Sequence, residues 1–119
     1  MKHGITVQAR AIYRAAFSGD ELPKGWKVSF VDRCVSSRRQ RFGSSRKINH
    51  SPARRWGQCW YSRKTIEVLS PSVHPGHEGH GGWICTLIHE FIHQRCPRLR
   101  HGQEFDRLID AALVRVWAS

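Results

Sequence analysis

The sequence has no CxxC pair, no internal repeat and no apolar run near the roughly 20 residues that cross a bilayer. Its four cysteines, Cys34, Cys59, Cys85 and Cys96, are widely spaced. That argues against a zinc ribbon or a disulfide framework and for ordinary buried or half-buried thiols. The opening MKHGITVQARAIYRAAF has no continuous apolar stretch and no clear cleavage site, so a cytoplasmic protein with no membrane association is expected. Acidic residues are scarce as well. Nine Asp and Glu face twenty Lys and Arg, and none lies between Asp32 and Glu67.

What fills that acid-free stretch is positive charge. Arg33, Arg38, Arg39, Arg41, Arg46, Lys47, Arg54, Arg55, Arg63 and Lys64 all fall there, half of the basic residues of the chain. A field of one sign attracts polyanions, nucleic acid first among them. Arg38, Arg39, Arg41, Arg46, Lys47, Arg54, Arg55, Arg63 and Lys64 are therefore candidate contacts to single-stranded or distorted nucleic acid, with Trp56 and Trp60 as neighbouring aromatic surface. Trp56 itself is expected in the core. The bland alternative is a solvated basic surface.

At 119 residues with 39% hydrophobic content and five tryptophans, the chain is expected to form one packed domain over 1–119, with a basic loop at 33–64 within it. Ile5, Ala9, Ile12 and Ala16 recur at helical spacing and predict a helix over 4–17. SGDELPKG (18–25) breaks it, and WKVSFV (26–31) alternates as a half-buried strand does. Residues 34–53 read as a Ser/Arg-rich loop. Residues 54–70 read as two strands around a turn at Ser62–Lys64, followed by a Pro/Gly/His loop over 71–82. Two helices follow, about 83–96 and 103–117. The second carries an apolar stripe, Phe105, Leu108, Ile109, Ala112, Leu113, Val116 and Trp117, that must pack as core.

His89-Glu90-Phe91-Ile92-His93 fits HExxH. Residues i and i+4 share a helix face, so both imidazoles can reach one Zn²⁺. Glu90, one residue on, is suited to take a proton from an attacking water and pass it to a leaving amine. Ile84, Leu87, Ile88 and Phe91 give the same helix an apolar face, leaving the histidines towards a cleft. Pro97 ends the helix, and the chain turns back through His101-Gly102. A turn suits a third ligand, since one straight helix cannot surround a tetrahedral ion. His101 is the first choice, Glu104 or Asp106 the reserve, and Gly102 is expected to let the backbone approach the site. The loop with His74, His77 and His80 is read as a polar surface loop, with a second, weaker metal site as the alternative.

HExxH, a helix break, then His101-Gly102-Gln103-Glu104-Phe105, preceded by Arg55-Trp56-Gly57-Gln58-Cys59 and the strand TIEVLS, resembles the SprT-like zinc metalloproteases, which include the Spartan type and the small YgjP-like proteins. The similarity runs from about residue 54 to 110. It implies an α+β, minimal zincin-like fold: a small sheet of about three strands packed on an N-terminal helix, the HExxH helix and a C-terminal helix. It implies zinc on His89, His93 and His101, catalytic Glu90, and hydrolysis of peptide bonds by water activated through zinc and Glu90. The substrates it implies are DNA-associated or DNA-crosslinked proteins, which would make the protein nucleoid-associated.

An extended substrate is expected to pair with an exposed sheet edge at strand 65–70. Tyr61 and the basic residues near it are candidates to stabilise the oxyanion, none preferred. A monomer is expected. The rival reading is a nucleic-acid-binding module with a structural zinc and no hydrolysis. Glu90 beside the first ligand and a ligand set without cysteine speak against it.

Overall fold

The computed structural model describes residues 2–32, 56–72 and 80–119. The order of elements is β1 (Lys2–Gly4), α1 (Thr6–Ala16), β2 (Lys27–Val31), β3 (Gly57–Trp60), β4 (Thr65–Leu69), α2 (Cys85–Arg95) and α3 (Gln103–Ala118). The architecture is α+β: the described residues form a four-stranded mixed sheet in the order β1-β2-β4-β3 and three helices. No helix among the described residues is long and apolar enough to cross a membrane.

Ile5, expected inside the first helix, instead links α1 to a short strand that sequence periodicity missed. Its amide donates to the Val28 carbonyl at 2.8 Å, and Lys2–Gly4 pair antiparallel with Ser29–Val31. Three residues are too few to display an alternating pattern. The two strands expected around a turn at Ser62–Lys64 are present as the β3–β4 hairpin.

The edge assignment is corrected. β4 runs parallel to β2, Lys27 opposite Thr65 through Val31 opposite Leu69, and antiparallel to β3 on its other side. It is an interior strand with both rows of backbone groups engaged, and its Ile66 and Val68 are fully buried. Among the described strands, β1 and β3 are the outer ones.

One core cluster lies between the sheet and α1 and α2. Val28, Cys59, Ile66 and Val68 meet Ala9, Tyr13, Leu87 and Phe91. A second joins the three helices through Ala16, Ile88, Ile92, Phe105 and Ala112. α2 belongs to both: Leu87 and Phe91 face the sheet, Ile88 and Ile92 face α3. A helix wedged between two apolar layers holds its remaining side chains in fixed directions.

The stripe of α3 packs through Phe105 and Ala112, with Leu108, Ile109, Leu113 and Val116 partly covered. Trp117 departs from expectation. It lies in the last turn of α3 and is 64% exposed. Trp56, placed in the core by sequence, is 47% exposed because it precedes β3 rather than belonging to it.

Candidate metal centre

α2 places His89 and His93 one turn apart. The helix ends at Arg95, where the Cys96 amide closes onto the Ile92 carbonyl, and Pro97 cannot continue it. The bend then returns His101 to the same point. The three Nε2 atoms stand 3.1 Å (His89–His101), 3.2 Å (His89–His93) and 2.9 Å (His93–His101) apart.

These contacts cannot all be hydrogen bonds. A ring nitrogen either carries a proton or offers a lone pair, so among three in mutual contact at least two are alike and repel. A cation that takes all three lone pairs removes the conflict. Zn–N bonds of about 2.0–2.1 Å in a tetrahedral site set the ligand nitrogens about 3.3 Å apart, close to the observed triangle. The three histidines can therefore hold a metal ion. Three imidazoles favour zinc-like ions over Mg²⁺ or Ca²⁺ and leave a fourth position for water or substrate.

Phe105 is the residue that sequence reasoning undervalued. Read as one member of a core stripe, it is also the floor of the triad. Its ring centroid lies 4.7 Å from that of His89, 4.8 Å from that of His93 and 4.9 Å from that of His101. The HGxxF spacing was the available signal, since it places Phe105 in the first turn of α3 directly after the bend. Burial is the main cause that lowers the His89 pKa to about 4; His101 adds to the shift and Asp106 opposes it. His89 is thus neutral, with its lone pair available, across the physiological range. Asp106 acts on His89 through its charge, while Glu104 pairs with Arg107 at 3.5 Å on the surface. The triad is complete without either reserve ligand.

Glu90 is 5% exposed and turned towards β3. The contact runs through Gly57: a Cβ there would stand 2.6 Å from Thr86 Cγ2, 3.3 Å from Glu90 Cγ and 3.3 Å from the Glu67 carbonyl. The glycine lets β3 touch the helix that carries His89 and His93. Gly102, expected to serve close approach, does not. Its backbone is extended (φ 160°), and a Cβ would meet nothing within 4 Å.

Tyr61 donates its hydroxyl hydrogen bond to the His93 carbonyl at 3.1 Å, tying the β3–β4 turn to the end of α2. That position caps a helix carbonyl, so Tyr61 anchors the turn rather than standing as a candidate for the oxyanion. Gln58, buried on β3, and the Trp60 indole both donate to Glu67 Oε1.

Arg63 and Lys64 are exposed in the β3–β4 turn. Arg38, Arg39, Arg41, Arg46, Lys47, Arg54 and Arg55 lie outside the described residues, as do Cys34, His74 and His77. Cys59 is buried, and Cys85 and Cys96 are half-buried free thiols. No family model matches the chain, and no curated protein or solved structure is similar enough to match it.

Proposed function

We propose that the chain is a zinc-dependent endopeptidase of the SprT-like kind, acting on proteins bound or crosslinked to DNA. The observation that carries this reading is the convergence of three imidazole nitrogens, two of them from the helix that also carries the buried Glu90. His89, His93 and His101 would hold the zinc. When bound, the metal supplies Lewis acidity and makes water nucleophilic near neutral pH.

The chain's own groups do the rest. Glu90 takes the proton of the attacking water and returns it to the leaving amine. Phe105 keeps the three rings at one point. Gly57 brings β3 into close contact with the helix at Glu90, which sets the position of the carboxylate. The excess of twenty basic over nine acidic residues supports a nucleic-acid partner.

Glu90→Gln tests the reading against a structural zinc in a binding module. The variant is expected to keep zinc and DNA affinity and to lose about 10²- to 10⁴-fold in cleavage of DNA-bound protein. Cleavage at the wild-type rate would overturn the proposal.

A further inference from the structure

The β3–β4 turn and the turn that enters β2 meet at one end of the sheet. The Lys27 amide donates to the Lys64 carbonyl at 2.9 Å, and Lys27 lies opposite Thr65 in the parallel register. A Cβ at Gly25 would stand 3.5 Å from Lys64 Cδ and 3.9 Å from its Nζ. Two segments far apart in sequence thus put Lys24, Lys27, Arg63 and Lys64 on a single rim, all exposed. Sequence reasoning singled out only the latter two, because Lys24 and Lys27 sit outside the acid-free stretch.

The rim is ordered and weakly countered. The Arg63 guanidinium lies 4.5 Å from the centre of the Trp60 ring, which limits its freedom. Nearby acids are few: Glu67 receives Gln58 and Trp60, Asp20 pairs with Arg95 at 3.2 Å, and Glu21 is the remaining carboxylate of the strap that leads into this end.

A lipid surface fits poorly. Of the exposed large apolar side chains among the described residues, Trp56 is at the other end of the hairpin and Val114 and Trp117 are on α3, which leaves Val7 near this end. One valine gives little to insert.

We propose that this rim is a docking surface for the phosphate backbone of nucleic acid. It is made of residues other than those of 33–55, and the described residues that flank that segment, Asp32 and Trp56, stand after β2 and before β3 at the opposite end of the sheet. Through Tyr61 the rim is tied to the carbonyl of His93, a residue of the triad. On the peptidase reading, on which this use of the surface rests, a nucleic acid held here brings its attached protein alongside α2.

The test uses the full, zinc-loaded chain, a short fluorescein-labelled DNA as single strand and duplex, and anisotropy across a salt series. The variant Lys24→Glu/Lys27→Glu/Arg63→Glu/Lys64→Glu is expected to bind at least about tenfold more weakly at physiological salt. Its slope of log K against log salt should be shallower by roughly two to four, while zinc content stays at the wild-type level. The corresponding Gln variant should fall between the two, which separates charge from any disturbance of the fold.

Wild-type affinity and slope in both variants would overturn the inference, most plainly if Arg38→Ala/Arg39→Ala/Arg41→Ala alone abolished binding. Binding of poly-glutamate at the rim as tightly as DNA would overturn it too, in favour of an acidic protein partner. Failure of the peptidase reading shows separately, as undiminished cleavage by Glu90→Gln with the rim effect intact.

Discussion

The histidine triad and β3 face the same helix, but they are assembled by different means. His89 and His93 are neighbours by helix periodicity, and His101, twelve residues from His89 in sequence, is returned by a bend that Pro97 enforces. The β3 side depends on contacts between remote segments: Gly57 against Thr86 and Glu90, and Tyr61 against His93 across 32 residues. The three histidines therefore answer to local geometry, whereas the setting of the glutamate answers to how sheet and helix dock. Substitutions on the two sides should separate metal affinity from turnover.

Phe105→Ala should show the largest effect and act on the triad side. Removing a buried ring costs about 3–5 kcal/mol, and the loss of the floor beneath all three imidazoles should weaken zinc binding with it. Phe105→Leu, nearer in volume, should recover much of both. A melting series with zinc titration checks this; unchanged zinc affinity in the Ala variant would show that the triad needs no floor.

On the other side, Gly57→Ala should leave zinc in place and depress turnover. The added methyl collides with Thr86 Cγ2, and overpacking of this kind costs about 1–3 kcal/mol. Adding Thr86→Ser, which deletes that methyl and keeps the hydroxyl, should restore activity in part. Steady-state cleavage beside metal analysis reads both halves, and zinc loss in Gly57→Ala would erase the contrast between the two sides.

Tyr61→Phe should cost about 1 kcal/mol of stability, one hydrogen bond to a helix carbonyl, and leave the rate within a few-fold. A hundredfold fall in rate at unchanged melting temperature would give the hydroxyl a role with substrate instead.

The smallest effect concerns pH. The folded-state pKa of His89, about 4, lies below its ordinary value near 6.5, so the unfolded chain takes up the proton first as pH falls. Metal-stripped protein should keep the full contribution above about 6.5 and lose it progressively towards 4. Denaturant melts across that window, with His89→Gln lacking this component, measure it.

Legibility in the sequence followed the same division. The i, i+4 pair, the Pro97 stop and the α3 stripe are periodic or local signals, and residues 83–119 were read nearly to their boundaries. β1 is too short to show a period. The interior place of β4 depends on its parallel pairing with β2, which no local pattern reports. The role assigned to Gly102 belongs to Gly57, because close approach is a property of two segments and a lone glycine names only one. Motif membership suggests a core place for Trp56 and stripe periodicity one for Trp117, yet each sits at the end of an element where nothing among the described residues encloses it fully.

The central claim is that His89, His93 and His101 form one metal site. Its most direct test is the metal content and zinc affinity of the purified chain beside His101→Ala, by elemental analysis and chelator competition. One zinc per chain, held tightly by the wild type and released readily by the variant, is the expected result. A wild-type chain that takes no metal, or a His101→Ala variant that binds zinc equally well, would contradict the account.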